Sequence, residues 1–381
     1  MSTLVKNSLF LGVSKLSARF LGLISTFIVA RILAPEDYAV IATCMLVQDF
    51  AIRLENIGFS QNIISKKNIS EEFIGSIFML RLVIGLILFI AIISVAHTAG
   101  VFFNNDKVEG VLTVISVLFL LKPLENINIV LETRNKNFIP SIKTQIFSKI
   151  ISVISTIFLA LNFGSYWALA IGMVISGASS LIIGYIVTTP MIPLKFSRSD
   201  AKGIVGFSKW YFFRQIIDYS NAKINQFLIA RIFEQKILGF FAIGTQISFI
   251  YTSEICSAID NANIAELSEK KRTHKSDFIN ILYDNIAYIM SAKTLLLSPV
   301  YLTFIFYPEF IIHLLLGDNW EGLSEYFRIF SINCFLYAYS YSFQSYLVIY
   351  RVPKILLLSS IITVILRVSV MLFAYAENNP M

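Results

Sequence analysis

The chain has 381 residues, of which 56% are hydrophobic and 14% charged, with a mean hydropathy of +0.72 and a formal net charge of +7. A soluble domain carries about 25% charged residues, so this composition argues against an ordinary soluble enzyme and for a membrane protein. The positive balance suits cytoplasmic membrane loops. No basic block is set in soluble-domain sequence, which argues against a nucleic-acid surface.

A spanning helix needs about 20 mostly apolar residues. In chain order, eleven segments qualify, at roughly 9–33, 38–62, 74–96, 110–133, 141–162, 166–189, 204–233, 237–264, 279–306, 323–349 and 355–376. All are rich in Ile, Leu and Phe, without the short alternating segments of a membrane barrel. The predicted fold is an all-α, polytopic helical bundle of about eleven transmembrane helices. Lys6 precedes a first run of spanning length with no small-residue cleavage site, so the N-terminus reads as a span and not as a cleavable signal.

Lys and Arg in the connections set the orientation. Lys6 and the even-numbered connections carry most of them: Lys66 and Lys67; Arg134, Lys136 and Lys143; Lys195, Arg198 and Lys202; Lys270, Lys271, Arg272 and Lys275; Arg351 and Lys354. The odd-numbered connections have little beyond Lys107 and Lys236. The N-terminus is therefore expected on the cytoplasmic side. Cys44, Cys256 and Cys334 lie inside apolar runs and read as small core residues. His97, His274 and His313 lack metal-ligand spacing, so no metal is expected.

The spans repeat. "GVSK" (Gly12 to Lys15) opens the first and "GFSK" (Gly206 to Lys209) the seventh, and an Ala-Arg-Ile trio closes both, at Ala30-Arg31-Ile32 and Ala230-Arg231-Ile232. "ISKK" after span two returns as "LSEKK" after span eight, "EEFIGSIF" loosely as "SDFINILY", and Glu109-Gly110 as Glu321-Gly322. The order is kept throughout, which argues for an internal duplication. A period of six spans, an even number, puts both halves the same way up, related by a pseudo-two-fold axis along the membrane normal. The expected lobes are 1–200 (spans one to six) and 201–381 (spans seven to eleven). The second is expected to lack its last helix, since the sequence ends near span eleven in "FAYAENNPM".

Three segments carry a family resemblance. "VSKLSARFLGLISTFIVARILAPEDYAVIA" resembles the opening of the oligosaccharide flippase family of the multidrug/oligosaccharidyl-lipid/polysaccharide exporter superfamily, through its Ser-Lys-x-x-x-Arg start and Ala-Arg-x-Leu-x-Pro-Glu-Asp-Tyr turn. "LENIGFSQNIISKK" and "LLGDNWEG" resemble the segments after span two and before span ten. Departures are Ala39 where glycine is usual and Glu55-Asn56 where Asp-Leu is usual. The resemblance implies two six-helix lobes about a cavity that opens alternately to each side. It also implies flipping of an undecaprenyl-pyrophosphate-linked oligosaccharide, such as an O-antigen or exopolysaccharide precursor, from the cytoplasmic to the outer leaflet of the inner membrane. The partners it implies are that substrate, membrane lipid and polysaccharide polymerase or assembly proteins; the protein itself is expected to be a monomer.

Charges inside spans are the informative residues, because an ionisable group in the bilayer is costly unless it faces a cavity or a partner. Lys15 and Arg19 share one face of span one. Span seven has Lys209, Arg214, Asp218 and Lys223; span two has Asp49, Arg53 and Glu55. Arg81, Lys122, Glu125, Glu254, Asp260, Asp284, Lys293 and Arg367 complete the set. A pyrophosphate needs cations and donors, so Lys15, Arg19, Lys209 and Arg214 are the primary substrate-binding candidates, Lys15 and Lys209 at matching positions of the two lobes. Asp49, Arg53, Arg81, Lys122, Asp218, Glu254, Asp284 and Lys293 are candidate cavity or coupling charges, the acids as sites for a proton or Na+. No other cofactor is expected. The structural alternative is internal neutralisation, Arg53 with Asp49 and Arg214 with Asp218, with Lys223 snorkelling to the interface. For sugars, span ten offers Tyr337, Tyr341 and Gln344, against a plain packing role.

"ARILAPEDY" is expected to be an outer-face hairpin, with Pro35 starting span two, Glu36 and Asp37 at its positive end, and Arg31 beside them. Two rival functions remain. A drug or cation antiporter of the same superfamily would have a more acidic cavity. A membrane glycan polymerase or acyltransferase would need a large outer loop or a catalytic cluster, and neither long outer connection, 97–109 or 307–322, holds one.

Overall fold

The structure is a computed structural model. It describes all residues except 1–2, 56–57, 67, 192–193, 274–277, 350–352 and 379–381; among the candidates, the side chains of Lys15, Lys209, Arg214, Tyr341 and Gln344 also lie outside the described set. No strand occurs among the described residues. The helices are α1 (Thr3–Ala30), α2 (Pro35–Glu55), α3 (Phe59–Ser65), α4 (Glu71–Phe102), α5 (Lys107–Ser116), α6 (Leu118–Leu121), α7 (Asn128–Arg134), α8 (Ile139–Phe163) and α9 (Trp167–Val187). They continue with α10 (Arg198–Ile232), α11 (Gln235–Thr273), α12 (Phe278–Phe306), α13 (Pro308–Leu316), α14 (Leu323–Ile349) and α15 (Pro353–Asn378).

The chain is a multi-pass membrane protein with a helical-bundle fold. Helices α4, α8, α9 and α12 are each long and apolar enough to cross a membrane; Lys107–Leu124 and Asn128–Arg134, bent by 56° to each other, reach that length and composition only when taken together. Large apolar side chains stay exposed on them, such as Leu86, Ile87 and Ile90 on α4 and Ile154, Phe158 and Leu161 on α8. In water such a surface would be a liability; against lipid tails it is the expected outer face.

Two predicted spans are divided. The 38–62 segment ends as a helix at Glu55, and α3 begins after Gly58, whose φ of 82° lies in the left-handed region. The 110–133 segment, expected as one helix, breaks into α5, α6, a 3-10 turn at Lys122–Leu124 containing Pro123, and α7. Span seven is the uninterrupted helix α10.

Helix starts follow local chemistry. Ser70 accepts from Phe73 N (3.2 Å) with Glu71 and Glu72 in the first turn of α4, and Ser197 accepts from Asp200 N (3.3 Å) at α10. In the α1–α2 hairpin, Pro35 opens α2 as expected. The Asp37 carboxylate accepts from Ala34 N and Tyr166 N, both at 3.2 Å, and so pins this corner to the α8–α9 loop.

By contact, the chain forms two compact units: 1–223 with 229–235, and 224–228 with 236–381. The division passes through α10, near the end of the segment expected as span seven. In the first unit, α8 and α9 pack as a hairpin and α1 packs on α8. In the second, α12 and α13 pack on α14, and α14 on α15. The "LLGDNW" segment ends α13 and seats Trp320, fully buried, 6.1 Å from the Phe240 ring.

Candidate functional site

The broken fourth span builds a cavity of about 260 Å3 in the first unit. It is lined by Glu55 at the end of α2, Phe59 and Ser60 of α3, Ile77 and Arg81 of α4, and Lys122, Glu125 and Asn126 at the break. Arg81 stands ten residues into α4, about 15 Å along it. Backbone groups at such depth must be satisfied by protein, and the break is. Arg81 Nη2 donates to the Lys122 carbonyl (2.6 Å), Tyr185 to that of Leu124 (2.9 Å). The Asn126 amide donates to the Gly184 and Thr189 carbonyls, at 3.2 and 3.1 Å, while its oxygen accepts from Asn128 N and Met191 N.

The break can approach α4 because residue 85 is glycine; a Cβ there would stand 2.4 Å from the Phe119 carbonyl oxygen. Arg81 also lies 4.0 Å from Glu125, which accepts from Ser180 at 3.1 Å. The cavity thus gathers two cations, Arg81 and Lys122, and two carboxyl groups, Glu55 and Glu125. Such a set can hold polar or charged groups of a ligand within an apolar bundle.

The second unit treats charge differently. Lys293 of α12, 0% exposed, lies 2.6 Å from Asp260 of α11, 1% exposed. Lys293 also donates to Ser342 Oγ (2.5 Å) and the Ala338 carbonyl (3.2 Å), and Ser342 donates to Asp260 (2.9 Å). Above and below lie further polar layers. Tyr301 donates to the Ser248 carbonyl (2.6 Å) beside Thr252, and Asn263, Asn285 and Tyr346 form a hydrogen-bonded cluster. This is a closed ladder along α11, α12 and α14.

The structure rearranges the expected pairings. Asp49 meets Lys223 at 2.9 Å, so Arg53 is not neutralised by Asp49, and Lys223 is ion-paired instead of snorkelling. Arg53 donates to Gln215 (2.9 Å) and stands 5.8 Å from the Tyr219 ring centroid. Arg19, Asp218 and Asp284 are exposed and Glu254 is half-buried. Tyr337 packs its ring 5.4 Å from that of Phe249. The side chains of the five candidates Lys15, Lys209, Arg214, Tyr341 and Gln344 lie outside the described residues.

Glu55, Glu125 and Asp260 appear in the sequence reading only as charges within spans; the structure pairs Glu125 with Arg81 and Asp260 with Lys293, and sets Glu55 on the cavity wall. Lys149, half-buried on α8, is not singled out there, although a lysine six residues beyond Lys143 and well inside the apolar run 141–162 is a readable signal.

Comparison with known proteins gives this architecture a lineage. A family described as "Polysaccharide biosynthesis protein" matches residues 28–325. The chain belongs to that family. It is 21% identical over 334 residues to an uncharacterized membrane protein in the cps region of Klebsiella pneumoniae, covering 83% of this chain and 65% of that protein. It is 19% identical over 321 residues to the lipopolysaccharide biosynthesis protein WzxC of Escherichia coli strain K12, covering 80% and 61%. The chain thus spans less than two thirds of the length of these curated relatives. Among solved structures, an inward-facing multidrug resistance MATE family transporter of the MOP superfamily matches with a TM-score of 0.69 at 13% identity, over 96% of this chain and 90% of that one. The lipid II flippase MurJ in an inward closed conformation matches with a TM-score of 0.66 at 16% identity, over 88% and 76%. At these identities, the structural matches show the shared fold.

Proposed function

We propose that the protein is a flippase that moves undecaprenyl-pyrophosphate-linked oligosaccharide units, precursors of O-antigen or exopolysaccharide, from the cytoplasmic to the outer leaflet by alternating access. One observation carries the transporter part: a span broken at membrane depth beside a cavity holding Arg81, Lys122, Glu55 and Glu125. Irregular backbone inside a bilayer is tolerated where it is buried in protein or lines a cavity, and broken helices mark ligand sites in transporters. Membership of a polysaccharide biosynthesis family supports the lipid-linked sugar as cargo.

In this reading Lys15, Arg19, Lys209 and Arg214 hold the substrate's pyrophosphate, and Tyr337, Tyr341 and Gln344 meet its sugars. The N-terminus faces the cytoplasm of the inner membrane, as the Lys and Arg distribution supports. The Arg81–Glu125 set changes partners as the first unit moves.

The test is expression of the chain in a bacterial strain lacking its own O-unit flippase. Surface polymer should return, and Arg19→Ala or Arg214→Ala should reduce it. Full polymer with the double alanine variant would overturn the assignment of the cations.

A further inference from the structure

Lys149 is a cation with no counterion among the described residues. It lies ten residues into α8, about 15 Å along the helix, is half-buried, and has no hydrogen bond or ion pair among the described residues. Its Cε and Nζ both lie 3.1 Å from the position a Cβ on Gly22 would occupy. The ammonium therefore rests against the α1 backbone, in a notch that exists because residue 22 has no side chain. Arg19 is three residues before Gly22, on the same helix face and about 4.5 Å along the axis, and is exposed.

An ammonium at this depth with no acid beside it is costly to keep. Snorkelling would lower that cost, yet this side chain lies across the helix seam toward α1. Two other cations within spans are matched by acids, Lys293 by Asp260 and Arg81 by Glu125. A cation held unpaired beside a second cation suits an anion that comes from outside.

We propose that the Lys149–Gly22–Arg19 notch on the α1/α8 seam of the first unit binds a phosphate or pyrophosphate group. Lys149 supplies a point charge and Arg19 a planar fork of donors. Gly22 keeps the notch open: a Cβ there would press on the ammonium at 3.1 Å, and a larger, branched side chain would fill its place. The inference that the anion arrives on a lipid carrier rests on the flippase reading.

The experiment uses the full chain in lipid nanodiscs with two probes, inorganic pyrophosphate and undecaprenyl pyrophosphate. Lys149→Met should weaken binding of the lipid probe about tenfold or more, the scale of a lost charge-assisted hydrogen bond. Lys149→Arg should retain most of it, and Gly22→Val should resemble Lys149→Met. The ligand-free Lys149→Met protein should melt no lower than the wild type, because an unpaired buried charge is removed; a structural lysine would instead lower it. Binding of inorganic pyrophosphate alone, lost in Lys149→Met, would uphold the notch and remove the lipid-carrier reading. Wild-type affinity for the lipid probe in folded Lys149→Met would overturn the notch and leave the flippase reading standing. A wild type that binds neither probe would overturn both.

Discussion

The two units use similar charged residues to opposite ends. In the first, Glu55 at the end of α2 and Arg81 on α4 face a cavity opened by a broken helix. In the second, Asp260 on α11 and Lys293 on α12 meet directly and are sealed from solvent by α14. The sealed pair satisfies itself: each carboxylate oxygen and the ammonium has a partner within the unit. The open set keeps its charged groups on the wall of a cavity. Buried charge in a membrane bundle is therefore not one signal but two, and accessibility separates a pin from a site.

The largest effect should come from opening the sealed pair. Asp260→Ala leaves the Lys293 ammonium buried without its counterion, a loss of about 3–5 kcal/mol, read as a lower melting temperature or failure to accumulate. Replacing both, as Asp260→Leu with Lys293→Met, should recover much of that stability. An Asp260→Ala protein as stable as the wild type would remove the distinction between the two units.

Arg81→Ala should cost less. It strips a donor from the Lys122 carbonyl and the neighbour from Glu125, about 1–3 kcal/mol. Its transport should fall by about tenfold or more, more than the loss of folded protein explains. A variant with normal transport per folded molecule would make the cavity a structural void. The smallest effect is expected for Ser342→Ala, which deletes one hydroxyl from the triad at about 1–2 kcal/mol, with transport per folded molecule unchanged.

Much of the helical fold is legible in the sequence, because the apolar runs have spanning length whatever they pack against. The broken fourth span is only partly legible: "KPLEN" at 122–126 interrupts the apolar run with a proline and two charges, and apolar residues resume beyond it. Pro123, between Lys122 and Glu125, is the local clue, but only packing of Phe119 and Pro123 on Gly85 shows that the chain turns there. The charges are legible as costly residues, and Arg81, Lys122 and Lys293 stand out for that reason. Their partners are not, since Asp49 is nearer in sequence to Arg53 than to Lys223, yet pairs with Lys223 across helices. Likewise nothing in the residues around Lys293 announces Asp260, 33 positions away.

The central claim is tested most directly in proteoliposomes holding the purified chain and an undecaprenyl-pyrophosphate-linked oligosaccharide placed in one leaflet, with a membrane-impermeant glycosidase added on the other side. The account predicts that the wild type exposes the sugar to the enzyme over time and that Arg81→Ala exposes it far more slowly. Exposure no faster than in protein-free vesicles, with the protein shown to be folded and inserted, would contradict it.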